Sequence, residues 1–352
     1  HYPLRRQRQM CIRDRIWGGG TPSILSNIQI IKLNKNLNRF FNFSEAATRC
    51  FELSHMDLLD FYKINLIKKL GYNRISFGIQ TFNKRILKQE NRQPISFKEF
   101  KKSLDFIYKL KFNWINADLM IGLDNQKKED ILDDFDKLIG CGIDSITVYV
   151  YKKQKDNLKL SGSSFLIKYY DKIIPEFQKS VYKLANIKNY KMLDMRSNTG
   201  QVFIRHDLYK RKEDYKVGNS LPIFIFGLGH GSGSQITGDL IYYHSTDDDY
   251  DFKIRKKTYV GINWTLKDSF REYILSVIHS NGIIDLKDFR KEFNQDLFDF
   301  FGVEINNLIK LGKAKIRNNK LQFNFENKLE KSIYDKFFYD QQLLNQIIAN
   351  LK

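Results

Sequence analysis

Four kinds of polar group that could hold a ligand stand along the first third of this chain. They are the turn Gly18-Gly19-Gly20-Thr21-Pro22, a carboxylate at Glu52, an amide at Gln80 and a second carboxylate at Asp118, with the Arg92 guanidinium in between. Consecutive glycines leave main-chain amides and carbonyls uncovered, so a ligand can come close to the backbone. Carboxylates and amides accept from ribose hydroxyls, and a guanidinium pairs with a carboxylate. Bare carbonyls accept from an α-amino group. The inventory suits a nucleoside joined to an amino acid. Any one of these residues could instead cap a helix or lie solvated; as a set they point to one site.

Each group falls near the end of an apolar, strand-like segment. Residues 47–51 deliver Glu52, residues 74–79 deliver Gln80, and residues 114–121 carry Asp118. Residues 145–151 form a further β-branched strand. Helical spacing fills the intervals, over 56–70 with Gly71 as its stop, over 97–110, and around Ile131–Ile139. This alternation predicts a parallel sheet with right-handed crossovers, whose polar strand ends share the rim that carries function in β/α barrels. After Tyr151 the rhythm breaks. A helical pattern covers 165–185, and the apolar run 223–226 enters Gly227, Gly229, Gly231 and Gly233. Helical patterns then cover 270–278, 286–293 and 297–311. Strand-like pieces at 313–316 and 321–325 flank the turn Arg317-Asn318-Asn319-Lys320, which is the order of a winged-helix-like module.

Composition sets the outer bounds. The 352 residues suffice for one large domain and a smaller one, and 42% hydrophobic content is ordinary for a globular protein. No run approaches the length of a transmembrane helix, and no signal peptide is legible. A cytoplasmic location is the expectation, with no membrane partner. Three scattered cysteines (Cys11, Cys50 and Cys141) make no disulfide framework. The net charge of +19 comes from lysines spread over nearly every helix, a compositional bias that gives non-specific affinity at most. A nucleic-acid partner is therefore not expected. His206, His230 and His244 lack metal-ligand spacing.

The motifs Trp17-Gly-Gly-Gly-Thr-Pro-Ser23, Asn73-Arg-Ile-Ser-Phe-Gly-Ile-Gln-Thr-Phe-Asn83, Asn91-Arg92 and Asn116-Ala-Asp-Leu-Met-Ile-Gly-Leu123 occur in this order. They resemble the oxygen-independent coproporphyrinogen oxidase family of radical S-adenosylmethionine proteins, which includes heme chaperones and some methyltransferases. The resemblance implies a partial (β/α)6 TIM-like barrel with a C-terminal α+β winged-helix-like domain. It also implies two S-adenosylmethionine molecules, Gly19 and Glu52 contacting the one on a 4Fe-4S cluster, and Gly20, Thr21, Gln80, Arg92 and Asp118 contacting the other. By the same resemblance the 227–233 run, ending at Gly233, lines the first cofactor's pocket. The expected activity is oxidoreduction of a tetrapyrrole through a 5′-deoxyadenosyl radical, with flavodoxin or ferredoxin as electron donor. The alternatives are a methyltransferase, including types that open heme, and a chaperone that binds heme without turnover.

The family's cluster is held by a Cys-x3-Cys-x2-Cys motif, since three irons each need a thiolate while the fourth stays open. This sequence has no such run, so no metal ligand is assigned and the chain as it stands is expected to be an inactive fragment. Residues 1–15 read as a non-native or disordered leader, which makes a truncated N-terminus the expectation. The partial barrel is expected over 16–152, a family-specific continuation over 153–260, and the winged-helix-like domain over 261–352.

Overall fold

The computed structural model describes residues 12–18, 20–151, 174–193, 200–208, 224–229, 232–236, 240–243, 260–279, 282–325, 330 and 333–339. The expectations for Cys11, Gly19, Gly231, His230, His244 and the 165–173 part of a helix lie outside the described residues. The chain divides into two units, His1–Asp214 and Tyr215–Lys352.

In the first unit the period-two sequences become two faces of one sheet, ordered β1-β2-β3-β4-β5-β7-β6. Strands β1 (Ile12–Trp17), β2 (Phe43–Ser54), β3 (Arg74–Gln80), β4 (Trp114–Ile121) and β5 (Ser145–Val150) run parallel. Strands β6 (Tyr190–Leu193) and β7 (Gly200–Arg205) extend the sheet antiparallel. This is the expected partial α/β barrel, with five parallel strands among the described residues. One face carries Phe51, Ile75, Phe77, Ile79, Ile115, Ala117, Leu119, Ile146 and Val148, all buried in the main core. Helices α1 (Asn27–Phe40), α2 (Phe61–Lys69), α3 (Lys84–Gln89), α4 (Phe97–Lys109), α5 (Lys128–Gly140) and α6 (Ile174–Ile187) link or flank the strands. Phe77 meets Phe100 of α4 edge-on, with ring centroids 5.8 Å apart. Alternation then sends Glu52, Ser54, Ser76, Gly78, Asn116, Asp118, Ser145 and Thr147 to the opposite face.

Local sequence sets the element ends. Ser26 with Gln29 and Ser96 with Glu99 form capping boxes at α1 and α4. The helix expected over 56–70 is interrupted, because the Asp60 side chain accepts from the Lys63 amide at 2.9 Å and caps a new start at Phe61. The strand delivering Glu52 begins at Phe43, earlier than its apolar core. Residues 12–15, read from the sequence as leader, belong to β1. Arg15 is buried there, its guanidinium 4.7 Å from both the Phe43 and Tyr72 ring centroids, and it donates to Asn38 Oδ1 at 3.1 Å.

The second unit holds a four-stranded antiparallel sheet, ordered β11-β10-β9-β8, built from Phe224–Ile225 (β8), Gly233–Ile236 (β9), Leu240–Tyr243 (β10) and Val260–Asn263 (β11). Beyond it, helices α7 (Leu266–His279), α8 (Leu286–Phe293) and α9 (Leu297–Lys310) bury Phe270, Ile274, Phe289, Leu297, Phe301 and Leu308 in a core of their own. Strands β13 (Ala314–Arg317) and β14 (Lys320–Phe323) make the expected hairpin, and Asn318 and Asn319 take the left-handed φ values its two-residue turn requires. A third strand, β12 (Ile283–Asp285), pairs with β14; three residues are too short to show a period in the sequence.

Candidate functional site

The polar face is a grid fixed by strand register. One row runs Glu52, Ser76, Asn116, Ser145, and the next, nearer the C-terminal ends, runs Ser54, Gly78, Asp118, Thr147. Two strand spacings and one two-residue step place the Glu52 and Asp118 backbones roughly 12 Å apart. Functional groups at the C-terminal edge of a parallel sheet occupy the active rim of this architecture.

Gln80 and Asp118 converge across Gly78. A bulge follows Gly78, and Gln80 takes a φ of +67°, which turns its side chain back over the strand. A Cβ on Gly78 would lie 2.6 Å from Gln80 Nε2, so the glycine makes the groove that the amide fills, beside its partner Asp118. Gln80 Oε1 is buried without a hydrogen-bond partner. A buried acceptor left in that state costs free energy that a ligand donor would recover. The turn is held from behind: buried Asp134 of α5 accepts from Thr81 Oγ1 at 2.5 Å and from the Phe82 amide at 2.8 Å. Burial pushes the Asp134 carboxyl up to about 6 despite these bonds.

Asp118 Oδ1 accepts from Asn116 Nδ2 at 2.7 Å. Burial drives its carboxyl up to about 6, with bonds from Asn116, Thr147 and Ser76 acting against the rise. Cys50 lies on the same face. Burial, with Glu52 and Asp118 nearby, pushes its thiol up to about 11, so it is not a thiolate near neutrality.

The glycine turn joins Glu52. A Cβ on Gly18 would stand 2.4 Å from Glu52 Oε1, so the carboxylate lies directly against this backbone. Gly20 and Thr21 are exposed, and a Cβ on Gly20 would meet nothing within 4 Å. A polar clamp fixes the turn to the end of β2. Buried Ser23 donates to Asp57 Oδ2 at 2.5 Å, Ser54 Oγ donates to the same oxygen, and Lys63 Nζ donates to Asp57 Oδ1 at 3.2 Å and to the Ser23 carbonyl at 2.6 Å. Burial opposes ionisation of Asp57, but these bonds outweigh it and hold the carboxyl below its usual value.

Arg92 reaches the rim by its backbone. The His55 ring bonds the Gln93 carbonyl beside the end of β2, and Glu90 Oε1 accepts from the Asp124 amide after β4 at 3.4 Å. The Arg92 side chain is exposed, and no described contact joins it to Gln80 or Asp118. Gly233 opens β9 opposite Tyr243 in the second unit. Ser76, Asn116, Ser145 and Thr147, which end no strand, share this polar face with Glu52 and Asp118. Their signal in the sequence is the alternation of polar with apolar residues in Arg74–Gln80, in Ile115–Leu119 and in Ser145–Val150.

Gln80's orphaned acceptor, Asp118 and the backbone exposed at Gly20 fit S-adenosylmethionine, whose ribose hydroxyls and amino group are donors. They do not fit an iron–sulfur cluster. Among the described residues no group of three His, Cys, Asp or Glu side chains could hold a metal ion, and Cys50 and Cys141 are both free. Among the same residues no helix is long and apolar enough to cross a membrane.

The comparisons agree with this geometry. The model of the radical SAM superfamily matches residues 4–138. The chain is 27% identical to the heme chaperone HemW of Buchnera aphidicola over 87% of its own length and 78% of the relative's. It is 25% identical to the oxygen-independent coproporphyrinogen III oxidase of Helicobacter pylori, covering 83% of this chain and 65% of that protein. It thus spans just under two thirds of that oxidase. Among solved structures, the coproporphyrinogen III oxidase HemN of Escherichia coli shares the fold, with a TM-score of 0.71 at 20% identity over 93% of this chain and 77% of that one. The part of the chain that matches the radical SAM superfamily, residues 4–138, is the part that carries the glycine turn and the first four parallel strands. In sequence the chain is related to oxygen-independent coproporphyrinogen III oxidases and heme chaperones.

Proposed function

We propose that the polar face of the first unit binds S-adenosylmethionine and that the protein acts on a tetrapyrrole, as an oxidoreductase of the coproporphyrinogen oxidase type. The observation that carries this reading is the pairing of Gln80 and Asp118 across Gly78, with a buried acceptor lacking any partner. In this reading Asp118 and Gln80 Oε1 accept from ribose hydroxyls or the adenine amino group. Carbonyls of the glycine turn receive the ligand's ammonium, and Glu52 steadies that turn. Arg92, on the rim, pairs with a carboxylate. Bound S-adenosylmethionine would supply the adenosyl group, and the electron that frees it as a radical would come from a 4Fe-4S cluster whose ligands are not among the described residues. The exposed cations Lys84, Arg85, Lys88 and Arg92 on and after α3 suit the acidic side chains of a porphyrinogen.

A second reading is a heme-binding chaperone without turnover. It is favoured by the larger share of the HemW relative that the chain covers, 78% against 65% for the oxidase. Titrating coproporphyrin and heme separately into the protein, with S-adenosylhomocysteine present, distinguishes them by the Soret band. Saturable coproporphyrin binding supports the oxidase reading. Binding of heme alone supports the chaperone, and binding of neither removes both.

A further inference from the structure

The hydrogen bonds beneath Asp118 have a direction. An indole N–H can only donate, and Trp114 Nε1 donates to Ser145 Oγ at 2.8 Å. The Ser145 hydroxyl donates to Asn116 Oδ1 at 2.7 Å, and Thr147 Oγ1 donates to the same oxygen at 3.2 Å. The ionised Asp118 carboxylate on one side can only accept, and with two hydroxyls on the other this places the oxygen of the Asn116 amide toward β5, an assignment made from the hydrogen-bond network. The amino end therefore faces the other way, donating to Asp118 Oδ1 at 2.7 Å and to Ser76 Oγ at 2.9 Å. Residues 114, 116 and 118 share one face of β4 because strand side chains alternate. Ser145 on β5 closes the relay at the register position opposite Asn116. Trp114 and Ser145 are both buried, so the direction is set away from solvent.

We propose that the Trp114–Ser145–Asn116 relay is a positioning device, which turns the Asp118 carboxylate toward a ligand hydroxyl. The inference rests on the reading of Asp118 as a nucleoside-binding group. An ionised carboxylate offers about four acceptor sites. Asn116 donates to it, Ser76 faces it with a hydroxyl, and the single Thr147 proton is given to Asn116 Oδ1, which leaves acceptor sites open to a ligand hydroxyl. A relay of the opposite polarity would aim the Asn116 oxygen at the carboxylate and repel it. By strand register the ionisable groups on this face include Asp14 on β1, Cys50 and Glu52 on β2, Arg74 on β3, Tyr149 on β5 and Lys191 on β6, and the variants below leave all of them in place.

The test follows the Asp118 carboxyl carbon by NMR through a pH titration, in the wild-type chain and in Asn116→Ala, Ser145→Ala and Trp114→Phe. S-adenosylhomocysteine affinity is measured by calorimetry on the same proteins. Removing the donor raises the Asp118 midpoint by about half a unit to one unit in Asn116→Ala and by less in the other two variants. Affinity near neutrality falls by roughly 3- to 30-fold. Ser145→Ala and Trp114→Phe are small changes that stand in if Asn116→Ala does not fold. A loss of melting temperature with no movement of the midpoint overturns the inference, since a merely structural bond gives that result. If the midpoint moves but the wild-type chain binds no S-adenosylhomocysteine, the nucleoside reading has failed and the relay loses its purpose. If the ligand binds and no midpoint moves, the relay alone is refuted.

Discussion

Asp118 is held in a state that costs stability. Its carboxyl is pushed up to about 6, above the ordinary aspartate value of 3.8, because burial disfavours the charge more than its polar neighbours, Asn116 first among them, restore it. A raised carboxyl contributes stability through its neutral form, fully present below about pH 4 and lost as the pH rises through about 6. Asp118→Asn should therefore stabilise the apo chain above pH 6 by up to about 2 kcal/mol, with the gain vanishing below pH 4, as read from urea unfolding at several pH values. Gly18 makes the complementary case. In Gly18→Ala the new Cβ displaces the Glu52 carboxylate, the flexible end of a long side chain. Stability should fall by less than about 1 kcal/mol, while S-adenosylhomocysteine affinity drops about tenfold or more. Unchanged affinity would separate Gly18 and Glu52 from the site. At this scale the sequence exposed the groups that end strands, Glu52, Gln80 and Asp118. It hid Asn116 and Ser145, whose polar side chains read as ordinary strand interior until register set them in one row.

The elements bring these groups together by clamps remote in sequence. Ser23, Ser54, Asp57 and Lys63 tie the glycine turn to β2 and α2, and Asp134 of α5 ties down the turn after Gln80. Asp57→Ala leaves the largely buried Lys63 ammonium without its partner carboxylate and should cost about 2 kcal/mol at pH 7. The Asp57 carboxyl is depressed, so its contribution is present above the ordinary aspartate value and lost as the pH falls through the lowered one. Chemical denaturation should show the penalty shrinking in acid. A penalty that does not depend on pH would mean that Asp57 acts by packing alone. Strand and helix positions were largely legible, because alternation and helical spacing are local properties. The clamps were not, since Ser23 and Asp57, or Thr81 and Asp134, meet only after the chain has folded back. The break at Asp60 was visible only as a cap residue inside a continuous apolar stripe.

At the scale of the molecule, two cores serve two units. Among the described residues the C-terminal module buries Phe270, Ile274, Phe289, Phe301, Ile305 and Leu308 in a core of its own, formed by α7, α8, α9 and the strands β12 to β14. Residues 261–352 expressed alone should melt cooperatively by circular dichroism. A broad, non-cooperative profile would show that the module depends on the rest of the chain. The barrel half was legible from its strand–helix rhythm, and the three helices of the module from their spacing. The small sheet β11-β10-β9-β8 was not legible, because strands of two to four residues carry too little pattern. The central claim is that Asp118 and its neighbours on the polar face receive a nucleoside's ribose. Calorimetric titration of S-adenosylhomocysteine and its 2′,3′-dideoxyribose analogue into the wild-type chain and Asp118→Asn tests it most directly. Wild type should prefer the hydroxylated ligand by about tenfold or more, and Asp118→Asn should erase that preference. No binding, or an equal preference in both proteins, would contradict it.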